Sequence, residues 1–467
     1  MDRSESSRVE MGTDWDEALH LYEKVIACES EALQVRATIK LGRLSNYAPE
    51  NELARTVPIL VELLGSPLSN LNPSIQEAAA YCLKCIACKG DGGLAIVIGQ
   101  SGVVPSLLRL LPNSDGRFRR VLIKSLWSIV TFGSLNRIIV VRNGGLEIVL
   151  NLFSSCTDST RQYLLEILSS LALLREVRRV FIHLGGLPLL IESARCGNMI
   201  SRARASQAIG LLGVTRRVRR MLVDLGVIPV LIELLRDGDN STKLIAGNAL
   251  GIIASHIDYL RPVAQAGAIP LYAELLGGPE PLGKEIAEDV FCILAVAEVN
   301  AVAIAEHLVR ILRGNNDEAK AAAADVLWDL SGYKHSVSVV QNSGAIPILV
   351  DLLRDGNGDV REKVSGAVAQ LSYDAADRGA LADAGVIPLL INLLQGESEE
   401  LKDNAAEALI NFSEDPLQRD RISEAFDIPS FQNIQNRLIQ IRASDEHMVR
   451  SLRQMSIEQL TWDPDLV

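Results

Sequence analysis

A proline recurs through this chain at one fixed interval. Pro188, Pro229 and Pro270 stand 41 residues apart, and so do Pro347, Pro388 and Pro429. Each follows Leu or Ile, usually after a glycine. The interval of 77 residues from Pro270 to Pro347 holds two repeats, one of them short. Upstream, Pro58 and Pro105 hold the same place, and Glu147 in NGGLEIVLNLF replaces the proline. A chain with this period does not close around one central core; it piles up repeats, each covering its neighbour's apolar face. That constraint overrides the domain count that 467 residues would otherwise suggest.

One repeat is legible in GVIPVLIELLRDGDNSTKLIAGNALGIIASHIDYLRPVAQAG, residues 226–267. Val230, Leu231, Leu234 and Leu235 fall at helical spacing and predict a helix over Pro229–Leu235. Pro229 suits a first turn, where its missing N–H has no intrahelical acceptor to lose. Arg236 to Asn240 make a polar turn, Ser241 is placed to cap a second helix over Thr242–Ser255, and a shorter helix follows over Leu260–Gln265.

The same pattern predicts an all-α solenoid over 48–442, of roughly nine to ten three-helix repeats. Residues 14–47 read as N-terminal capping helices, 1–13 as a disordered start, and 443–467 as a C-terminal cap helix with an acidic tail. Between Ala297 and Gly314 the glycine–proline corner is missing. There the first helix is expected to run almost directly into the second, with a kink in the stack near Asn300 to His307.

Composition bounds the rest. Apolar residues make up 48% of the chain and aromatics 4%, suited to small aliphatic helices that interlock. No apolar run reaches the ~18 residues of a membrane span, and the polar start MDRSESSRVEMGTD does not read as a signal peptide. Seven cysteines without framework spacing suit a reducing compartment, so cytoplasm or nucleus is expected. The net charge of −12 is unevenly spread. Residues 101–220 carry 18 basic and 6 acidic side chains, whereas 221–430 carry 15 and 33. Such a field steers partners and does not select a fold.

GVIPVLIELL, GAIPLYAELL, GAIPILVDLL and GVIPLLINLL, with AAEALINFSED at 405–415, resemble armadillo repeats over about residues 30–442. The overall style resembles plant armadillo-only proteins and the armadillo halves of plant U-box proteins. The resemblance implies a right-handed superhelix whose third helices line a concave groove holding extended partner segments. The six histidines are scattered singly without metal-ligand or nucleophile–base spacing, so no enzyme activity, cofactor or metal is expected. In importin-α, Trp and Asn recur four residues apart along those helices; here only Asn411 stands in an Asn place, which speaks against an import adaptor.

On the same alignment the later third helices carry Glu285 and Asp289, Asp325 and Asp329, Glu362, then Asp403 and Glu407, with Asn411 beside them. Residues four apart share a helix face, so these carboxylates predict an acidic groove for a basic extended segment. The basic middle offers a second surface: Arg120, Lys124, Arg202, Arg204, Arg216, Arg217, Arg219 and Arg220. It suits an acidic protein or anionic lipid, with nucleic acid disfavoured. Part of it has a family explanation, because Arg137, Arg178, Arg219, Arg378 and Arg419 hold the place where an armadillo Arg opens the first helix. A substrate-recognition subunit of a ubiquitin-ligase or transport assembly, and a head-to-tail homo-oligomer, are alternative readings. Cys82, Cys85 and Cys88 read as core fillers, GPEPLGKE as a helix–helix turn and not a phosphate loop, and Trp127 and Trp328 as buried packing residues.

Overall fold

The computed structural model describes residues 14–65, 72–90, 92–153, 156, 158–331, 336–429 and 431–436. The stretches 1–13 and 443–467, for which disorder and a cap helix were predicted, lie outside these residues. The described residues are helical without a strand and fall into two compact bodies dividing between Ile253 and Ala254.

The first body opens with Trp15–Ile26 and Glu31–Leu44, then Glu50–Leu64 and Pro73–Ala87. Full repeats of three helices follow: Gly93–Gln100, Val103–Leu110 and Gly116–Phe132; Asn136–Arg142, Gly145–Leu152 and Asp158–Leu171; Arg175–His183, Gly186–Arg195 and Met199–Gly213. Arg216–Asp224, Val227–Asp237 and Asn240–Ala254 bring the chain to the boundary. In the second body the order is Ile257–Gln265, Ala268–Leu276 and Pro281–Leu294; Glu298–Leu312 and Asp317–Ser331; Ser336–Ser343, Ala345–Asp355 and Gly358–Leu371; Ala375–Asp383, Val386–Leu393 and Glu399–Ser413. It ends with Pro416–Arg419, a 3-10 stretch Asp420–Asp427, and helical residues 431–436.

The glycine–proline corner has a local cause. Gly226 takes φ +79° between the first and second helices of its repeat, and Gly185, Gly267, Gly344 and Gly385 do the same at +73°, +92°, +74° and +82°. Only glycine enters that region without a Cβ penalty, so it stops one helix and starts the next within a residue. Where the glycine is absent the corner is absent, and Glu298–Leu312 runs as one helix of 15 residues. Glu50–Leu64 is likewise continuous, with Pro58 inside it. In the repeat at 226–267 the predicted cap is corrected. Asp239, not Ser241, accepts from the Thr242 amide at 2.8 Å, and the Thr242 hydroxyl together with that amide holds its carboxyl below the usual range.

A second device joins several repeats to the one before. The last carbonyls of a third helix have no intrahelical donor. Arg178 Nε donates to Ala172 O (3.0 Å), Arg219 Nε to Gly213 O (2.9 Å) and Arg378 Nη1 to Ser372 O (2.8 Å). A different arginine closes the second helix in the same manner, eight residues after the acceptor: Arg202 Nε to Ala194 O (2.8 Å) and Arg361 Nε to Leu353 O (3.2 Å). A cation at a helix C-terminus also meets the negative end of the helix dipole.

The core is aliphatic. Leu231, Leu250, Leu308, Leu349, Leu390 and Leu409 are fully buried, and emptying any such site costs ~2–5 kcal/mol. Buried aromatics are few, with Tyr272 and Phe291 edge-on at 6.3 Å. The most apolar helix pair, Gly93–Gln100 and Val103–Leu110, bends by 74° and buries Leu94, Ile98, Val103 and Leu107. No single described helix is long and apolar enough to cross a membrane.

Candidate functional site

In the second body the third helices lie side by side, bonded across. Cys292 Sγ donates to Asp329 Oδ2 (3.4 Å), Lys363 Nζ to both oxygens of Asp325 (3.1 Å each), Ser398 Oγ to Glu362 Oε1 (2.9 Å) and Asn404 Nδ2 to Ser365 Oγ (3.0 Å). Each helix turns one face inward: Ala287, Val290, Phe291 and Leu294 are buried, as are Val364, Ala367, Val368 and Leu371. The opposite faces carry the predicted carboxylates.

Glu285 and Asp289 are exposed, and Asp329 is exposed one helix on. Glu288, which sequence spacing did not single out, is half-buried between them. Its carboxyl is raised first by burial, then by the charges of Asp325, Asp289 and Glu285, with Lys363 opposing. The same field reaches Cys292. Burial, Asp329, Asp289 and Glu288 push its thiol up to about 12, so it stays a neutral donor. Among the described residues Glu285, Glu288 and Asp289 make no ion pair within 4.0 Å.

Other members of the predicted set are spoken for. Asp325 is neutralised by Lys363, Glu362 accepts from Ser398, and Glu407 accepts from the Tyr373 hydroxyl. Asp403 is half-buried and also engaged. Asn411 is a correction. It is 1% exposed and its amide donates to Ser372 Oγ at 2.9 Å, so it ties two third helices together instead of offering itself to a partner.

The first body presents a different third-helix face. Lys124 sits 5.0 Å above the Tyr163 ring, and Trp127 meets Tyr163 edge-on at 5.3 Å. The Trp127 indole N–H donates to Glu166, which also accepts from Arg204 Nε at 3.0 Å. Arg120 is exposed. Two predicted partner-binding cations are corrected. Arg219 is 9% exposed and spent on Gly213 O and Val214 O, and Arg202 serves Ala194 O and Glu233. The remaining cations Arg216, Arg217 and Arg220 lie on the first helix Arg216–Asp224, whereas Arg120, Lys124 and Arg204 lie on third helices.

Trp328 also has a contact that sequence reading missed. Its ring lies where a Cβ on Gly366 of the next third helix would stand, so the glycine makes room for the indole. Cys82 is fully buried with its thiol raised by burial, as a packing residue would be.

The stacked three-helix geometry finds its counterpart in known proteins. The profile of the Armadillo/beta-catenin-like repeat matches residues 215–255 and 374–413. These are armadillo repeats. The armadillo stack also resembles the crystal structure of an engineered protein, with TM-score 0.68 and 23% identity, over 86% of this chain and 99% of that one. A second engineered protein aligns at TM-score 0.39 and 23% identity, over 48% of this chain and 97% of that one. No curated protein matches the chain. Armadillo repeats generally bind proteins, and the chain presents third-helix faces of different make-up in its two bodies.

Proposed function

We propose that the protein is a non-enzymatic scaffold whose second body captures a basic, extended segment of a partner protein along its third-helix face. The observation that carries this reading is the crowding of Glu285, Asp289 and Asp325 on Glu288, opposed by Lys363, with Asp329 and Asp289 acting on the neighbouring Cys292. Like charges held this close repel, and a row of Lys or Arg side chains relieves the repulsion with charge-assisted hydrogen bonds. Burial and the neighbouring carboxylates both disfavour the charged form of Glu288, and a cation placed there offsets the penalty.

The experiment is titration of the full chain with a Lys/Arg-rich peptide of about ten residues at low and high salt. Wild type binds and weakens as salt rises. Replacing Glu285, Asp289 and Asp329 with Lys abolishes binding, while Lys363→Met strengthens it severalfold by freeing Asp325. Equal affinity for the wild type and the triple variant refutes the reading, as does binding that salt leaves unchanged.

A further inference from the structure

The first helix of a repeat opens against the last turn of the third helix before it, and the residue facing that turn falls in a fixed register. Leu171 O accepts from Leu174 N, with Val177 three residues on; Leu212 O accepts from Thr215 N, with Val218 three residues on. At these joints the buried residue is apolar and asks for nothing. Leu294 O accepts from Ala297 N, and three residues on stands Asn300. Asn300 is 4% exposed, and its amide donates to Leu294 O (3.0 Å) and Leu260 O (3.1 Å), so it sews the joint to two earlier helices. Asn136 is fully buried and does the same, to Ile129 O (3.0 Å) and Ala95 O (2.7 Å).

The register recurs at Leu371 O, which accepts from Asp374 N, and three residues on stands Asp377. Asp377 is 1% exposed, and its Oδ1 has no hydrogen-bond partner. An amide in this place donates to carbonyls; an ionised carboxylate only accepts and cannot make those bonds. The charged and polar groups around it do not relieve this. Asp374 adds a like charge, and Gln341, from Ser336–Ser343, supplies a single hydrogen bond. Arg378 turns its guanidinium to Ser372 O and Tyr373 O.

We propose that Asp377 is a proton-operated joint: with its carboxyl protonated it donates to the preceding repeat as Asn300 and Asn136 do, and on ionising it releases Ala375–Asp383 from that repeat. Burial first, then Asp374, raise this carboxyl to about 7 against the opposing bond from Gln341. A folded value raised above the unfolded one means that the folded joint holds the proton longer. Its contribution is complete below the unfolded value near 3.8 and is lost as pH rises through about 7.

The test is native-state hydrogen exchange of the full chain, corrected for intrinsic exchange, with the amides of Ala375–Asp383 as the readout. Between pH 5 and 7.5 their opening equilibrium grows on the order of 50-fold in wild type. In Asp377→Asn it stays flat, and at pH 7.5 protection exceeds wild type. The reciprocal change, Asn300→Asp, brings the same pH dependence to Glu298–Leu312 and keeps the idea testable should the first variant fold poorly. An Asp377→Asn chain with the wild-type pH profile, or an Asn300→Asp chain with none, overturns the proposal.

Discussion

Gly99→Ala separates two effects that point in opposite directions. Gly99 lies inside the helix Gly93–Gln100, where alanine ordinarily stabilises by up to ~1 kcal/mol. Here a Cβ would occupy the position of the buried Asn136 amide, which also packs against Gly133. Pushing that amide out breaks its bonds to Ala95 O and Ile129 O, although Ile129 O keeps the one from Gly133 N at 3.1 Å. Two lost bonds cost ~1–3 kcal/mol together, and forced repacking of a filled site adds ~1–3 kcal/mol. The penalty exceeds the propensity gain, so a net loss of about 2–4 kcal/mol is expected. Urea unfolding followed by helical circular dichroism measures it, with exchange in Asn136–Arg142 as the local readout. Gly379→Ala is the control: that helical glycine meets no atom within 4 Å, and alanine there stabilises. In an Asn136→Ala background the Gly99→Ala penalty disappears. A Gly99→Ala protein as stable as wild type refutes the reasoning.

Arg219→Met strands Gly213 O and Val214 O and lowers stability by ~1–3 kcal/mol, whereas Arg216→Met, on the same helix but exposed, changes it by less than ~0.5 kcal/mol; thermal melts of the two variants check this. Glu288→Gln removes a carboxyl whose folded value is raised, and stability from such a group is lost as pH rises through that value. The variant therefore melts above wild type at neutral pH and gains nothing below the ordinary carboxylate range, a pattern read from melts across pH.

The sequence displays the fold through period and punctuation. Pro229 and Gly226 mark a corner because their backbone needs are local, so spacing alone finds them. The same logic exposes the missing corner in Glu298–Leu312, where no glycine is present to turn the chain. The site is less legible, because what decides it is the group each side chain meets, whether the end of a preceding helix or a carboxylate about forty residues away. Arg202, Arg204 and Arg219 look alike in a charge count, yet one closes a second helix, one pairs with Glu166 and one seals a joint. Asn411 matched a family pattern by position, while its bond to Ser372 depends on the neighbouring helix. Glu288 escaped notice because it lies three residues from Glu285, off the four-residue count, on the face that its neighbours crowd.

The arginines and asparagines that reach back across each joint decide where this protein divides into parts. At the glycine corners a first helix is bonded back to the third helix before it, as by Arg219, and turns into its own second helix within one residue, as at Gly226. The portable segment therefore runs from one glycine to the next, second helix through following first helix. Fragments and transplants cut at those glycines keep Arg178, Arg219 and Arg378 with their acceptors; cuts placed before the arginine leave raw ends.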